Sequence, residues 1–223
     1  MKPKTPAEIA SAAAIGADVL RKGGLVGFPT ETVYGVAAAA DVLEGMERLR
    51  DLKDRPERPF SVHLAGPGEV GRYVRAVPPV AQRLVRKAWP GPLTLVLPTG
   101  GRLAEAALQK AGLYEVLCHD GFIGLRCPDE PAASALLARA GGPVVAASAN
   151  LKGQPSPRDA REALAALDGR IELMIDTGPT RHRGDSTIVQ VDPRCVRWPG
   201  CACCLCARAT RAAVRWRRGW PRR

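Results

Sequence analysis

No stretch of this sequence approaches the roughly 18 consecutive apolar residues that a membrane-spanning helix needs. The opening Met1-Lys2-Pro3-Lys4-Thr5-Pro6 is polar and lacks the apolar run of a secretory signal. We therefore expect a cytoplasmic protein with no membrane partner. Cysteines with the dispersed spacing of a disulfide framework are also missing. Cys118, Cys127 and Cys195 are scattered, and Cys201, Cys203, Cys204 and Cys206 crowd into six residues, so a reduced compartment is expected. There is no internal repeat, which excludes a solenoid. Acidic residues are absent from 201–223, where seven arginines lie; without that stretch the net charge of +11 falls to +4 on residues 1–200. A modestly basic domain suits nucleotide phosphates and does not demand a nucleic-acid groove.

What is present is enough for a core: 46% of the residues are hydrophobic, a normal globular share. Residues 1–200 read as one domain and 201–223 as a tail set apart. For the tail, a disordered basic extension, a thiol metal site, an RNA-stacking surface of Trp198, Trp216 and Trp220, and a frame-shifted end all compete. The abrupt change of composition favours the last.

Within the domain, Thr5-Pro6-Ala7-Glu8 has the pattern of a capping box with proline at the first helical position, and Gly23-Gly24 closes that helix. A short strand follows over Leu25 to Phe28, then a helix over Val42 to Leu52 and a strand over Phe60 to Leu64. A helical region runs to Trp89 and ends at Pro90-Gly91-Pro92. Strands are predicted at Leu93–Leu97, Phe122–Arg126, Pro143–Ala147, near Ile171–Ile175 and near Thr187–Val191, with helices at Glu130–Arg139 and Ala160–Leu167. Alternating strands and helices imply an α/β layer architecture. Several connections of the strand–loop–strand kind imply a twisted, mixed parallel and antiparallel sheet flanked by helices.

Three segments carry chemistry. Pro29-Thr30-Glu31-Thr32-Val33-Tyr34-Gly35 can present Thr30 and backbone amides to a small polar ligand, or can be a helix start capped by Thr30 or Thr32. Lys53-Asp54-Arg55 can clamp a triphosphate, lysine as a point charge and arginine as a planar fork, or can be a solvated face. Ser148-Ala149-Asn150 follows the apolar run Val144–Ala147, where ligands collect at strand ends, though an Asx or Ser turn explains the same residues. Ser156 lies in the polar loop beyond, Arg126 ends a strand and can pair with a carboxylate, and Ser186-Thr187 opens a late strand with two hydroxyls. His63 is either a proton-transfer group or a satisfied strand histidine.

Taken together these phrases resemble the YrdC-like family of L-threonylcarbamoyladenylate synthases. The resemblance runs through Gly27 to Gly35, Lys53 and Arg55, Val62-His63, Trp89 to Thr94, Arg126-Cys127-Pro128, Ser148-Ala149-Asn150 and Ser186 to Val189, over nearly all of residues 10–200. It implies a YrdC-like catalytic domain with a concave basic site. It also implies a nucleotidyltransferase reaction in which L-threonine, bicarbonate or CO2, and ATP with Mg2+ give threonylcarbamoyl-AMP and pyrophosphate. A separate threonylcarbamoyl transferase complex then modifies an adenosine in tRNA. Carried over by position, Thr30, His63, Arg126, Ala146 and Ser186 are implied for L-threonine, and Lys53, Arg55, Ser148, Asn150, Ser156 and Arg197 for ATP. No residue is implied as a nucleophile and none as a protein metal ligand. Lys53→Ala is expected to lower turnover while leaving the fold intact.

Two departures stand out. Ala37 replaces a glycine common in the family and is expected to narrow a loop there. Arg197-Trp198-Pro199-Gly200 only approximates the family's closing arginine-proline-glycine turn. The alternatives from other classes are a double-stranded-RNA-binding or ribosome-associated module on the same fold, and a carbamoyl-transfer domain of the hydrogenase-maturation kind.

Overall fold

The first helix, α1 (Pro6–Arg21), starts where its capping box requires: Thr5 Oγ1 accepts from Glu8 N–H at 3.2 Å and Glu8 Oε2 accepts from Thr5 N–H at 2.9 Å. In the computed structural model, which describes residues 1–54, 59–192 and the backbone of 213–217, the chain continues through β1 (Val26–Phe28), β2 (Gly35–Ala39), α2 (Leu43–Lys53) and β3 (Ser61–His63). Then come α3 (Val70–Tyr73), α4 (Pro79–Ala88), β4 (Leu93–Pro98), α5 (Leu113–Leu117), β5 (Cys118–His119) and β6 (Phe122–Arg126). The remaining elements are α6 (Pro131–Arg139), β7 (Val144–Ser148), α7 (Ala160–Leu167), β8 (Leu173–Met174), β9 (Thr187–Asp192) and β10 (Ala213–Arg217).

The strands form one mixed sheet in the order β10-β9-β4-β6-β3-β7-β2-β1-β8, with β5 paired to β6. The pairs β1/β8, β3/β6 and β4/β9 are parallel and the others antiparallel, as the mixed connections predict. Residues 213–217, read from the sequence as part of a detached tail, pair with β9 at the edge of the sheet.

The run Val36-Ala37-Ala38-Ala39 is rich in the best helix former yet lies in a central strand. The two-residue period of a strand sorts these residues onto two faces: Val36 and Ala38 enter the larger core with Tyr34, Val62 and Val145. Ala37 and Ala39 enter the smaller core with Ala12, Ala133, Val144 and Ala146. Burial on both faces overrides helix propensity. The proposed capped helix start at residues 29–35 is thereby corrected to a turn between antiparallel strands. Ala37 is likewise not in a loop. It pairs with Val26 on one side and Ala146 on the other, fully buried.

On the smaller core, α1 lies against α6. Gly16 permits the approach, since a Cβ there would come within 2.8 Å of Leu136 Cδ1. On the other face α2, α4 and α7 close the larger core through Met46, Leu49, Val80, Ala81, Ala163 and Leu167.

Candidate active site

The register places the candidate side chains in rows. His63 on β3 is level with Arg126 on β6, and Arg126 is level with Thr94 on β4. Ser61 is level with Ala146, and Gly35 with Ser148. This end of the sheet opens into a hollow of about 280 Å³. Its wall contains Thr30, Lys53, His63, Arg126, Ala146, Ser148, Ser156 and Ser186, so residues spread over more than 150 positions of sequence meet in one place. Asn150 lies just behind, bonded to Ser148 and Lys53. Of the remaining sequence-predicted site residues, Arg55 and Arg197 lie outside the described residues.

The 29–34 turn is held by its own hydroxyls. Thr30 Oγ1 donates to Val33 C=O at 2.6 Å and accepts from the N–H groups of Thr32 and Val33 at 3.2 Å each. Tyr34 N–H reaches Pro157 C=O and Ala149 N–H reaches Tyr34 C=O, both at 2.8 Å, which ties the turn to the segment after β7. Glycine at 35 is needed because a Cβ would sit 2.9 Å from Phe28 Cε1. Thr30 thus lines the hollow while its hydroxyl shapes a turn between two strands and caps no helix.

Arg126 is buried, and Nη2 meets Glu31 Oε1 at 3.0 Å and Thr32 Oγ1 at 2.5 Å. His63 is buried beside it, with Nδ1 3.1 Å from Ser61 C=O and its ring edge-on to Phe28. A carbonyl only accepts, so Nδ1 carries the proton and Nε2 is an acceptor. Burial, reinforced by the Arg126 charge, pushes the His63 pKa down to about 3, so the ring is neutral at physiological pH. Ser186 and Thr94 share a hydroxyl–hydroxyl bond of 3.0 Å.

On the opposite side Lys53, the last residue of α2, buries its ammonium under the end of β7. Nζ donates to Ser148 C=O at 2.9 Å, Asn150 C=O at 2.6 Å and Asn150 Oδ1 at 2.9 Å. Ser148 Oγ donates to the same Asn150 Oδ1 at 2.6 Å, and Asn150 Nδ2 to Gln154 C=O at 2.6 Å. Lysine is therefore the pedestal of the Ser-Ala-Asn segment, which a solvated charge run would not be. Ser156 Oγ donates to Asp185 at 2.7 Å, and among the described residues Asp185 is the one carboxylate on the wall.

Sequence reasoning missed Glu31, Thr94 and Asp185. Glu31 and Asp185 each adjoin a residue that was singled out, and Thr94 stands within the phrase Trp89 to Thr94, so adjacency was the usable signal. Cys127 also lies near, but burial lifts its thiol to about 12, and it is no thiolate nucleophile. Among the described residues no three His, Cys, Asp or Glu side chains cluster to cage a metal, and no helix is long and apolar enough to cross a membrane.

Comparison with known proteins identifies the family. Residues 18–198 match the family model described as telomere recombination, which groups Sua5, YciO and YrdC. The threonylcarbamoyl-AMP synthase of Bacillus subtilis is 38% identical over 183 residues, covering 82% of this chain and 49% of that protein. A structure of Pyrococcus abyssi Sua5 complexed with L-threonine superposes with a TM-score of 0.71 at 33% identity, covering 85% of this chain and 52% of that one. Escherichia coli YciO superposes with a TM-score of 0.67 at 25% identity, covering 85% and 86%. The chain thus spans about half the length of the Bacillus and Pyrococcus relatives. With four fifths of its residues in the matched region and the fold shared over 85% of the chain, the chain belongs to the Sua5/YciO/YrdC family.

Proposed function

We propose that this chain is a threonylcarbamoyl-AMP synthase: a cytoplasmic nucleotidyltransferase that joins L-threonine, bicarbonate-derived CO2 and ATP, releases pyrophosphate, and supplies a separate tRNA-modifying transferase complex. The observation that carries the reading is the single hollow with two chemically different sides. Arg126, neutral His63 and the Thr94–Ser186 hydroxyl pair suit a small hydroxy amino acid. The Lys53-supported Ser148–Asn150 segment and Ser156 suit phosphates.

In this account the threonine carboxylate pairs with Arg126, and His63 Nε2 accepts from the amine. The neutral amine nitrogen bonds to the carbon of CO2, one C=O π bond opens onto oxygen, and the nitrogen's proton passes to solvent water, which leaves a carbamate. A carbamate oxygen then attacks the α-phosphorus of ATP in line, and the bond to pyrophosphate breaks. Such a displacement needs alignment and charge stabilisation more than a protein nucleophile. Ala146 in β7 lines the floor where the reactants meet. Mg2+, held by ATP phosphates with Asp185 the wall carboxylate that fits it, would neutralise charge developing on those phosphates. Arg55 and Arg197 retain the ATP roles implied by the resemblance.

The test is incubation of the purified chain with ATP, threonine and bicarbonate, reading pyrophosphate. Threonine-dependent release supports the synthase. No such release, together with tight, salt-sensitive binding of double-stranded RNA, would establish the RNA-binding alternative in its place.

A further inference from the structure

Among the ion pairs of the described residues, Glu31–Arg126 alone has both side chains almost wholly buried, at 0% and 7% exposure. Both carboxylate oxygens are consumed inside the protein: Oε1 takes Arg126 Nη2 at 3.0 Å and Oε2 takes Asp129 N–H at 3.0 Å. The backbone of Glu31 is fixed as well, its carbonyl accepting from His182 N–H at 2.8 Å. Glu31 is not on the wall of the hollow and has no atom to offer a ligand, whereas Arg126 is on the wall. Nη2 of Arg126 is spent on Glu31 and Thr32, while Nη1 bonds to nothing among the described residues.

From this division we infer that Glu31 is a positioning residue of the amino-acid side. It anchors one end of the Arg126 guanidinium so that the other end is offered to the substrate carboxylate, and it balances the arginine charge when the hollow is empty. The inference rests on the proposed synthase reading. The physical need is specific to a hollow shared with a triphosphate. An arginine on a flexible stem is drawn toward the larger negative charge, and a fixed carboxylate on its far side opposes that displacement. A planar guanidinium held on one edge keeps its remaining donors in a defined direction, which a lysine would not.

The test uses the whole chain and the threonine-dependent release of pyrophosphate, with threonine and ATP varied in turn and melting curves recorded alongside. Glu31→Gln keeps the shape and removes the charge. The expected result is a threonine KM raised about tenfold, with kcat within about twofold and the ATP KM not raised, because ground-state binding of the carboxylate has been weakened. A merely structural role would instead lower kcat with the folded fraction and leave the threonine KM alone. Since Glu31→Gln leaves a buried unpaired charge and can fail to fold, E31Q/R126Q is compared with R126Q. If Glu31 acts through Arg126, the two share one threonine KM. A folded Glu31→Gln protein with an unchanged threonine KM, or a further rise in KM when E31Q is added to R126Q, overturns the inference. A wild-type chain with no threonine-dependent pyrophosphate removes the synthase reading itself, a different failure from either of these.

Discussion

His63 and Lys53 show how burial decides what a side chain can do. The His63 ring stays neutral in the folded protein down to about pH 3, whereas in the unfolded chain it takes a proton near its ordinary value of 6.5. Between those values the unfolded state binds more protons, so stability must fall as pH drops through that window, by at most about 1.4 kcal/mol per pH unit from this group. His63→Asn should make the decline between pH 6.5 and pH 3 shallower in urea titrations; an unchanged slope would mean that the ring is not buried neutral. Lys53 holds three acceptors of the 148–150 segment. The expectation that Lys53→Ala spares the fold is therefore revised. Turnover should fall and stability should drop as well, on the order of 1–3 kcal/mol, because buried acceptors lose their donor. Thermal melting reads this directly, and an unshifted transition would contradict the pedestal role.

At the scale of elements, β2 separates what sequence patterns reveal from what they hide. The capping box, the proline-glycine break after Trp89 and the alternation over Phe60–Leu64 are local signals, and elements form there, the strand itself being the shorter Ser61–His63. The alanine run of β2 carries no periodic contrast, since both of its faces are buried, and its strand nature becomes visible only through pairing with β1 and β7. The same pairing settles the role of Ala37. Ala37→Gly should cost about 0.5–1 kcal/mol of stability, by loosening a central strand, without improving threonine KM. A gain in affinity would return Ala37 to the loop that the sequence suggested. Gly35→Ala, by contrast, pushes a methyl against Phe28 and Ala147 C=O. It should lower both stability, by about 1–3 kcal/mol, and activity, measured by urea unfolding and pyrophosphate release.

For the molecule as a whole, the described residues of the resembling phrases meet in one hollow because most lie at strand ends or turns, with Lys53 at a helix end, and the sheet order brings those ends together. The order itself, β4-β6-β3-β7-β2, is not written in any single segment. Nor is the pairing of Arg126 with Glu31, whose partners lie 95 positions apart. Long-range contacts of this kind escape periodicity and propensity, so adjacency in sequence can point to Glu31 and Asp185 but not to their partners Arg126 and Ser156. The mixed sheet was legible in the alternation of elements and the strand–loop–strand connections, whereas the division of the core between the two faces was not.

The direct trial of the one-hollow account is a crystal structure of the chain soaked with L-threonine and a non-hydrolysable ATP analogue. The account predicts threonine with its carboxylate on Arg126 beside Thr94 and Ser186, and the α-phosphate next to it with the phosphate chain along Ser148 to Ser156. Threonine and nucleotide bound on separate surfaces, or threonine placed away from Arg126, would contradict it.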